Sequence, residues 1–238
     1  MSKVSEWNKK KFDKKDAFNY YLGNRENSER LLVTEKITSE YFMENKNKDI
    51  KILDVGCGDG KICEIFKKIG FCVYGVDVGK NNIEKMKKMK LNGVVANIEE
   101  GLPFANNYFD YVFAGEVIEH VLDTKFILKE VNRVLKKGGR FLVTTPNLAH
   151  LPERWRLLKG KNPTQVSPVH EFLYLHVRPF TWNMLSYVLE LSGFEILRME
   201  STMVVFKWDG DKVIWASSWL SKLIPGFGNT LIVESKKI

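Results

Sequence analysis

The sequence predicts an α/β protein: a doubly wound, mostly parallel, seven-stranded sheet with helices on both faces. Short apolar runs alternate along the chain with amphipathic segments of helical length, and the connections between them are short. Alternation of this kind is typical of parallel βαβ units, in which each helix crosses back over the sheet. The predicted strands are residues 51–55, 71–76, 94–96, 109–113, 140–145, 194–206 and 230–234.

Between these strands, apolar residues at helical spacing predict helices at 62–69, 81–90, 120–136 and 181–192. Residues 147–180 show no clean period, and they hold four of the seven prolines and three of the four histidines. A loop of this length inside a compact domain usually has a function. We therefore expect a substrate-side insertion or lid there, within a domain spanning 50–238. Residues 1–49 are predicted to be a helical extension that packs on the core.

The composition sets limits on the class of protein. No apolar run approaches the roughly 20 residues needed to span a bilayer, and the first 15 residues lack the apolar core of a signal peptide. Three cysteines crowded into residues 57–72 do not form a disulfide framework, so we expect a cytoplasmic protein. The net charge of +8 would suit nucleic acid, anionic lipid or an acidic small molecule, and charge alone does not choose among them.

The strongest single feature is the sequence Asp54-Val-Gly-Cys-Gly-Asp-Gly60 at the end of the first predicted strand. Glycines there permit a tight turn and a close approach of a ligand to the backbone. A dinucleotide site would need a third glycine where this chain has Lys61, and the carboxylate of Asp54 is unfavourable beside a pyrophosphate. It suits a ligand with a positive ammonium or sulfonium group. Asp77, at the end of the second strand, is placed to accept hydrogen bonds from both ribose hydroxyls.

These residues resemble the first motif of the class I, Rossmann-like, S-adenosylmethionine-dependent methyltransferases, and in particular the ubiquinone-pathway O-methyltransferase-like group. The similarity continues at 97–104, at 109–112 with 115–120, and at 135–146. The resemblance implies S-adenosyl-L-methionine as the cofactor. The cofactor-binding residues that it implies are Asp54, Gly56, Cys57, Gly58, Asp77, Val78, Asn97, Ile98 and Gly115.

Within this set, Asp54, Gly56 and Gly58 are expected at the methionine part of the cofactor. Asp77 and Val78 are expected at the ribose and the adenine edge, and Asn97 and Ile98 at the adenine. Family members often have aspartate where this chain has Asn97. An amide oxygen still accepts from the adenine amino group, but without the assistance of a charge.

Glu116, Glu119 and His120 would share one face if a helix started there, at positions i, i+3 and i+4. The run resembles the metal-binding segment of ubiquinone-pathway O-methyltransferases and of small-RNA 2′-O-methyltransferases, with His170 or His176 as a further ligand of a magnesium-like ion. In the alternative, Glu116 and His120 form the floor of a metal-free cofactor pocket. We assign no metal at this stage.

The catalytic candidates are His120, which the resemblance places at the cofactor mouth, and His176. Either imidazole could take the proton of an acceptor hydroxyl, although a capping or packing role for His176 stays open. The predicted reaction is methylation of a small-molecule acceptor, on the oxygen of a lipid-, quinone- or glycan-like compound. The alternatives are RNA 2′-O-methylation, for which no RNA-binding module is recognisable, and a non-catalytic cofactor-binding partner subunit.

Two further segments could meet a partner. Trp215, Trp219, Leu223 and Ile224 are spaced as on a helix, which would wall an apolar pocket, contact a membrane surface peripherally or pack a lid onto the core. A basic run lies at 154–161, where it could bind phosphate groups or simply be solvated.

Overall fold

A computed structural model describes residues 25–46, 48–166, 176–209 and 212–238. Seven strands form one sheet in the order β3-β2-β1-β4-β5-β9-β6, in which β9 runs antiparallel to both of its neighbours. This confirms the predicted fold class. The strands are β1 Lys51–Val55, β2 Cys72–Asp77, β3 Asn92–Val95, β4 Phe109–Gly115, β5 Leu135–Pro146, β6 Phe194–Ser201 and β9 Thr230–Lys237, and a separate hairpin pairs β7 Val204–Asp209 with β8 Lys212–Ser217.

Seven α-helices lie in the described part of the chain. They are α1 Arg25–Asn45, α2 Lys61–Ile69, α3 Lys80–Lys88, α4 Thr124–Val134, α5 Leu151–Leu158, α6 Trp182–Leu191 and α7 Ser218–Leu223. Local signals set several of the boundaries: the side chains of Asp123 and Thr181 cap the first turns of α4 and α6, and Gly70 ends α2. None of the described helices has the combination of length and hydropathy that crossing a bilayer demands.

Both faces of the sheet are buried, and β4 shows how. Tyr111 and Phe113 point to the face covered by α1, α2 and α3, whereas Val112 and Ala114 point to the face covered by α4 and α6. Strands covered on both faces are expected to be apolar at every position, which explains why the strands were recognisable as continuous apolar runs.

Three sequence-based expectations need correction. Residues 147–180 are not wholly irregular, because α5 and a 3₁₀ turn at Thr164–Val166 lie within them. The predicted strand 194–206 is two strands: β6 ends at Ser201, and β7 leaves the main sheet to form the hairpin. The proposed helical stripe at 215–224 is also wrong, since Trp215 lies on β8 and the helix begins only at Ser218. Short apolar runs do not distinguish a strand from a helix by period alone.

The central position of β1 predicts a large cost for truncating Leu53, which is fully buried. We expect Leu53→Ala to lower the free energy of unfolding by about 3 kcal/mol through lost burial and a residual cavity. The matched control is Leu32→Ala on α1, where the side chain is 66% exposed and the expected change is within about 0.5 kcal/mol. Urea denaturation measures both; equal effects would contradict this description of the core.

Candidate active site

The loop after β1 and the loop after β4 meet at the point where the strand order reverses. Gly56, Gly58 and Gly60 all have positive φ. A Cβ on Gly56 would lie 2.5 Å from Val117 Cγ2, so only glycine permits this approach. A Cβ on Gly58 would meet nothing within 4 Å, so the backbone there borders open space. The glycine loop therefore forms a cradle at a topological switch point, the usual ligand site of open α/β sheets.

Asp77 holds the shape of this cradle. Its Oδ2 accepts a hydrogen bond from Gly58 N at 3.0 Å, and its Oδ1 accepts one from Gly79 N at 2.7 Å. Asn82 Nδ2 donates to the same Oδ1 at 3.4 Å, and Asp77 is half-buried. The sequence analysis did not predict this bracing of the glycine loop, and the ribose-binding role of Asp77 stays a prediction.

Asp54 lies beneath the same loop, almost fully buried. Burial raises its pKa to about 7; the Cys63 thiol, which donates to Oδ2 at 3.3 Å, opposes this shift, and the charge of Asp77 adds to it. A buried carboxylate near neutrality is stabilised in its charged form by a cation brought next to it. This carboxylate is therefore suited to a ligand that carries an ammonium group.

The adenine-side candidates lie on the loop after β3. Asn97 caps the 3₁₀ turn at Ile98–Glu100: its Oδ1 accepts from Glu99 N at 3.1 Å, and its Nδ2 donates to Glu100 Oε1 at 3.0 Å. The amide that was expected to accept from adenine thus already has a local structural role. Ile98 and Val78 are both half-buried.

Glu116 does not start a helix, contrary to expectation. Its φ is +57°, and only Ile118–His120 form a 3₁₀ turn. The carboxylate is fixed from two sides: Thr144 Oγ1 donates to Oε1 at 2.9 Å, and Arg30 Nη1 lies 3.4 Å from the same oxygen. Gly115, the last residue of β4, lies close by, since a Cβ there would be 3.6 Å from Arg30 Nη1.

Glu119, His120 and His176 converge, and their potential ligand atoms lie within 4.8 Å of one another. The two imidazole rings meet edge to face with centroids 5.0 Å apart, and Arg178 N donates to the backbone oxygen of Glu119, which joins the insertion to this turn. The structure thus brings together the two histidines that the sequence selected. A combination of one carboxylate and two imidazoles fits a divalent transition ion better than magnesium.

The carboxylate of this group is unusual. Glu119 is buried, and Thr145 Oγ1 donates to its Oε2 at 3.0 Å. Its Oε1 has no hydrogen-bond donor among the residues that the structure describes and faces His120 Nε2 at 3.8 Å. Burial, and next the charge of Glu116, raise the pKa of Glu119 well above its usual range. Such an oxygen can bind a proton or a cation, or accept a hydrogen bond from a hydroxyl group.

The remaining histidines do not join this group. His150 precedes α5 and is buried beside Glu153, where burial lowers its pKa to about 4 and keeps it neutral. His170, a predicted alternative ligand, lies outside the described residues.

Sequence reasoning missed Arg30. The residue is buried on α1, yet it reaches Glu116 and donates to Thr144 Oγ1 at 3.3 Å. A signal was present: Arg30 continues the stripe of Thr34, Ile37 and Tyr41 at helical spacing, which places a cation on the buried face. A buried arginine requires an acidic partner.

Comparison with known proteins identifies a family model that matches the central part of the chain. Residues 53–143 match the family model described as "Methyltransferase domain". The ubiquinone biosynthesis O-methyltransferase of Pelagibacter ubique is 34% identical over an alignment of 124 residues that covers 48% of this chain and 51% of that protein. The chain thus spans about half the length of the curated relatives that it matches.

Two solved structures share the fold. A SAM-dependent methyltransferase from Archaeoglobus fulgidus has a TM-score of 0.56 at 18% identity, covering 85% of this chain and 94% of that one. Phosphoethanolamine N-methyltransferase 2 of Haemonchus contortus, solved with S-adenosyl-L-methionine, has a TM-score of 0.56 at 22% identity, covering 80% of this chain and 49% of that one.

The raised pKa of Asp54 predicts a pH-dependent stability. The folded pKa of about 7 lies above the unfolded value near 3.9, so the folded state holds the proton more tightly and stability falls as the pH rises through 7. Asp54→Asn should remove this loss. We expect the variant to be more stable than the natural protein at pH 8, by an amount on the order of 2–4 kcal/mol, and much closer to it at pH 5.

Thermal unfolding at the two pH values measures this difference. Asp49→Asn, at an exposed carboxylate, is the matched control and should change neither value. A stability difference between Asp54→Asn and the natural protein that is the same at pH 5 and pH 8, or smaller at pH 8, would show that folding does not raise the pKa of Asp54.

Proposed function

We propose that this chain is a class I S-adenosylmethionine-dependent methyltransferase and that it methylates a hydroxyl oxygen of a small lipid-, quinone- or glycan-like acceptor. The observation that carries the proposal is the close approach of the glycine cradle, at Gly56, to Val117, whose backbone oxygen accepts from His120 N at 3.0 Å. His120 in turn packs edge to face on His176. A cofactor cradle and a proton acceptor on adjacent loops suit transfer of a methyl group to an oxygen. The name of the Pelagibacter relative, an O-methyltransferase of ubiquinone biosynthesis, supports a quinone-like acceptor.

In this proposal the cofactor supplies a methyl group on a positively charged sulfur. Asp54 balances the ammonium group, the loop at 56–58 cradles the methionine part and Asp77 accepts the ribose hydroxyls. Val78, Asn97 and Ile98 border the adenine, and Gly115, whose missing Cβ makes room for the Phe113 ring, borders the pocket through its backbone. Methyl transfer itself needs little covalent help, so the main contribution of these residues is alignment and exclusion of water.

His120 is the proposed base. Its imidazole takes the proton of the acceptor hydroxyl as the carbon–oxygen bond forms and the carbon–sulfur bond breaks, which leaves a neutral sulfur and a protonated histidine. Glu119 faces His120 Nε2 and stabilises that positive charge. His176 packs edge to face on His120 and closes the acceptor side. The insertion at 147–180 acts in this scheme as the lid.

The same three side chains provide a second route. A divalent ion held by Glu119, His120 and His176 would lower the pKa of the acceptor hydroxyl as a Lewis acid. The Oε1 of Glu119, which has no hydrogen-bond donor in the described part of the chain, favours this route. Dialysis against a chelator distinguishes the routes, because only the metal-dependent one loses activity and regains it with added Zn²⁺ or Mn²⁺.

We infer a reducing compartment such as the cytoplasm. Cys57, Cys63 and Cys72 are all free, and no disulfide joins them. Two of them are buried beside the glycine loop. Reducing compartments keep such thiols intact.

Calorimetric titration tests the cofactor. We expect saturable binding of S-adenosylmethionine and S-adenosylhomocysteine, no binding of NADH, and at least a tenfold loss of affinity in Asp77→Asn, which keeps the shape but not the charge of the side chain. Asp49→Asn is the matched control. A folded natural protein that binds neither adenosyl compound would overturn the proposed function.

Replacing His120 tests the base. With methyl-labelled S-adenosylmethionine and a catechol as the smallest quinone-related acceptor, His120→Ala should lower kcat by roughly 100-fold or more while the cofactor Kd stays within about twofold. His150→Ala removes a histidine outside the site and should leave kcat per folded molecule unchanged. Equal kcat for His120→Ala and the natural protein would exclude His120 as the base. Binding of cofactor with no turnover on hydroxyl acceptors or RNA would favour the non-catalytic partner subunit.

A further inference from the structure

The underside of the glycine loop is lined by sulfur. Cys57 Sγ lies 3.7 Å from Met86 Sδ, and Met86 also packs under Gly60, where a Cβ would be 2.8 Å from its Cγ. A Cβ on Gly75 of β2 would lie 2.7 Å from Cys57 Sγ. Cys63, the third residue of α2, is fully buried in the same cluster. Thiols and thioethers are weakly polar, so this lining offers a buried charge little solvation.

Asp54 faces this lining from the sheet. Its neighbours across the strand pairs are Gly75 on β2, which has no side chain, and Phe113 on β4. Among the described residues, the side-chain hydrogen bond to Asp54 comes from Cys63, whose thiol donates to Oδ2 at 3.3 Å. Because a glycine and an aromatic ring cannot solvate a negative charge, the charged carboxylate depends on this hydrogen bond.

The other titratable groups that face Asp54 do not bring a positive charge. Cys57 faces it from the glycine loop and Asp77 from the end of β2, and the charge of Asp77 disfavours ionisation of Asp54. From α3 the cluster receives Met86, which has no charge. The cations that the two packed helices carry here pair elsewhere: Lys61 of α2 with Asp59, and Arg30 of α1 with Glu116. Among these groups, the Cys63 thiol is the one that favours the charged form of Asp54.

The charge of Asp54 is decided close to neutral pH. Burial raises the pKa of Asp54 to about 7, and the hydrogen bond from Cys63 opposes the rise. An ammonium group is attracted to the carboxylate only in its charged form. The affinity for a ligand with an ammonium group therefore rises with pH up to the pKa of the unliganded carboxylate and is constant above it.

We propose that Cys63 is a positioning residue for the cofactor: its thiol holds Asp54 in place under the glycine loop and favours the charged form that receives the ammonium group. Loss of the thiol then moves the pH range of cofactor binding upward and leaves the affinity at high pH unchanged. The inference rests on the proposed function, because it concerns the group that is opposite the methionine part of the cofactor.

Calorimetric titration with S-adenosylhomocysteine between about pH 5.5 and 8 tests the inference. In the natural protein the affinity should rise with pH and level off near 7. Asp54→Asn should abolish this rise, which separates it from the titration of His120 and His176. The compound 5′-methylthioadenosine, which has the adenosine and the thioether but no ammonium group, should bind with an affinity that does not depend on pH.

Replacing the thiol should move the midpoint of this rise. A thiol is a weak donor, so we expect Cys63→Ala to shift the midpoint upward by about one pH unit, which is a roughly tenfold loss of affinity at pH 6 and little loss once both proteins are fully ionised. Cys63→Val keeps the volume without the donor and should behave in the same way. Cys63→Ser restores a donor and should return the midpoint to the natural value or below it.

Two controls report damage that is only structural. Phe66→Leu disturbs the same buried side of α2 three residues further on, and Cys72→Ala removes the exposed thiol. Both should leave the midpoint in place. A carboxyl-carbon NMR titration of Asp54 in the unliganded proteins measures the same shift without any ligand, and Cys63→Ala should raise the pKa of Asp54 there by the same amount as the binding midpoint.

Several results would overturn the inference while S-adenosylhomocysteine still binds. They are an unmoved midpoint in Cys63→Ala and Cys63→Val, an equal loss of affinity at every pH, a serine variant that does not restore the midpoint, and a rise with pH that persists in Asp54→Asn. Absence of binding at every pH in the folded natural protein would instead overturn the proposed function, and this inference together with it.

Discussion

The contact between Gly56 and Val117 is the constraint on which the candidate site depends. It sets the distance between the loop after β1 and the loop after β4, and a single methyl group on Gly56 would lie 2.5 Å from Val117. The glycine cradle is on the β1 side of this contact. On the β4 side, Glu119 and His120 follow Val117 along the chain, and their side chains lie beside His176. Because β1 and β4 are paired in register from Ile52 to Val55, a change at the contact would propagate into the centre of the sheet.

Two buried carboxylates give the site its electrostatic character. Asp54 and Glu119 both have raised pKa values, in each case first through burial and then through a neighbouring acid. Holding an acid in an unfavourable environment lowers the stability of the folded protein. Binding of a cation or a hydrogen-bond donor at the acid restores that stability. The two acids are assisted differently: a thiol donates to Asp54, whereas a threonine hydroxyl donates to Glu119.

The sequence alone predicted the sheet and the glycine loop. It did not predict the features that long-range packing determines. Continuous apolar runs identified the buried strands, and the spacing of Asp54, the glycines and Asp77 identified the tight glycine loop after β1, because both signals are local. The turn at Glu116 was mistaken for a helix start, since its positive φ follows from hydrogen bonds to Thr144, 28 residues away. Likewise Trp215 was assigned to a helix, because only the pairing of β7 with β8 decides its conformation.

The ion pair between Arg30 and Glu116 also connects two parts of the chain that are distant in sequence. The neighbouring Glu29 accepts a hydrogen bond from Met203 N at 2.7 Å, so α1 is attached to both the site and the start of β7. Coupling of this kind is reciprocal. A ligand that binds more tightly when Arg30 is seated must hold α1 more firmly on the core, and slower amide exchange along that helix would report occupancy of the site from a distance.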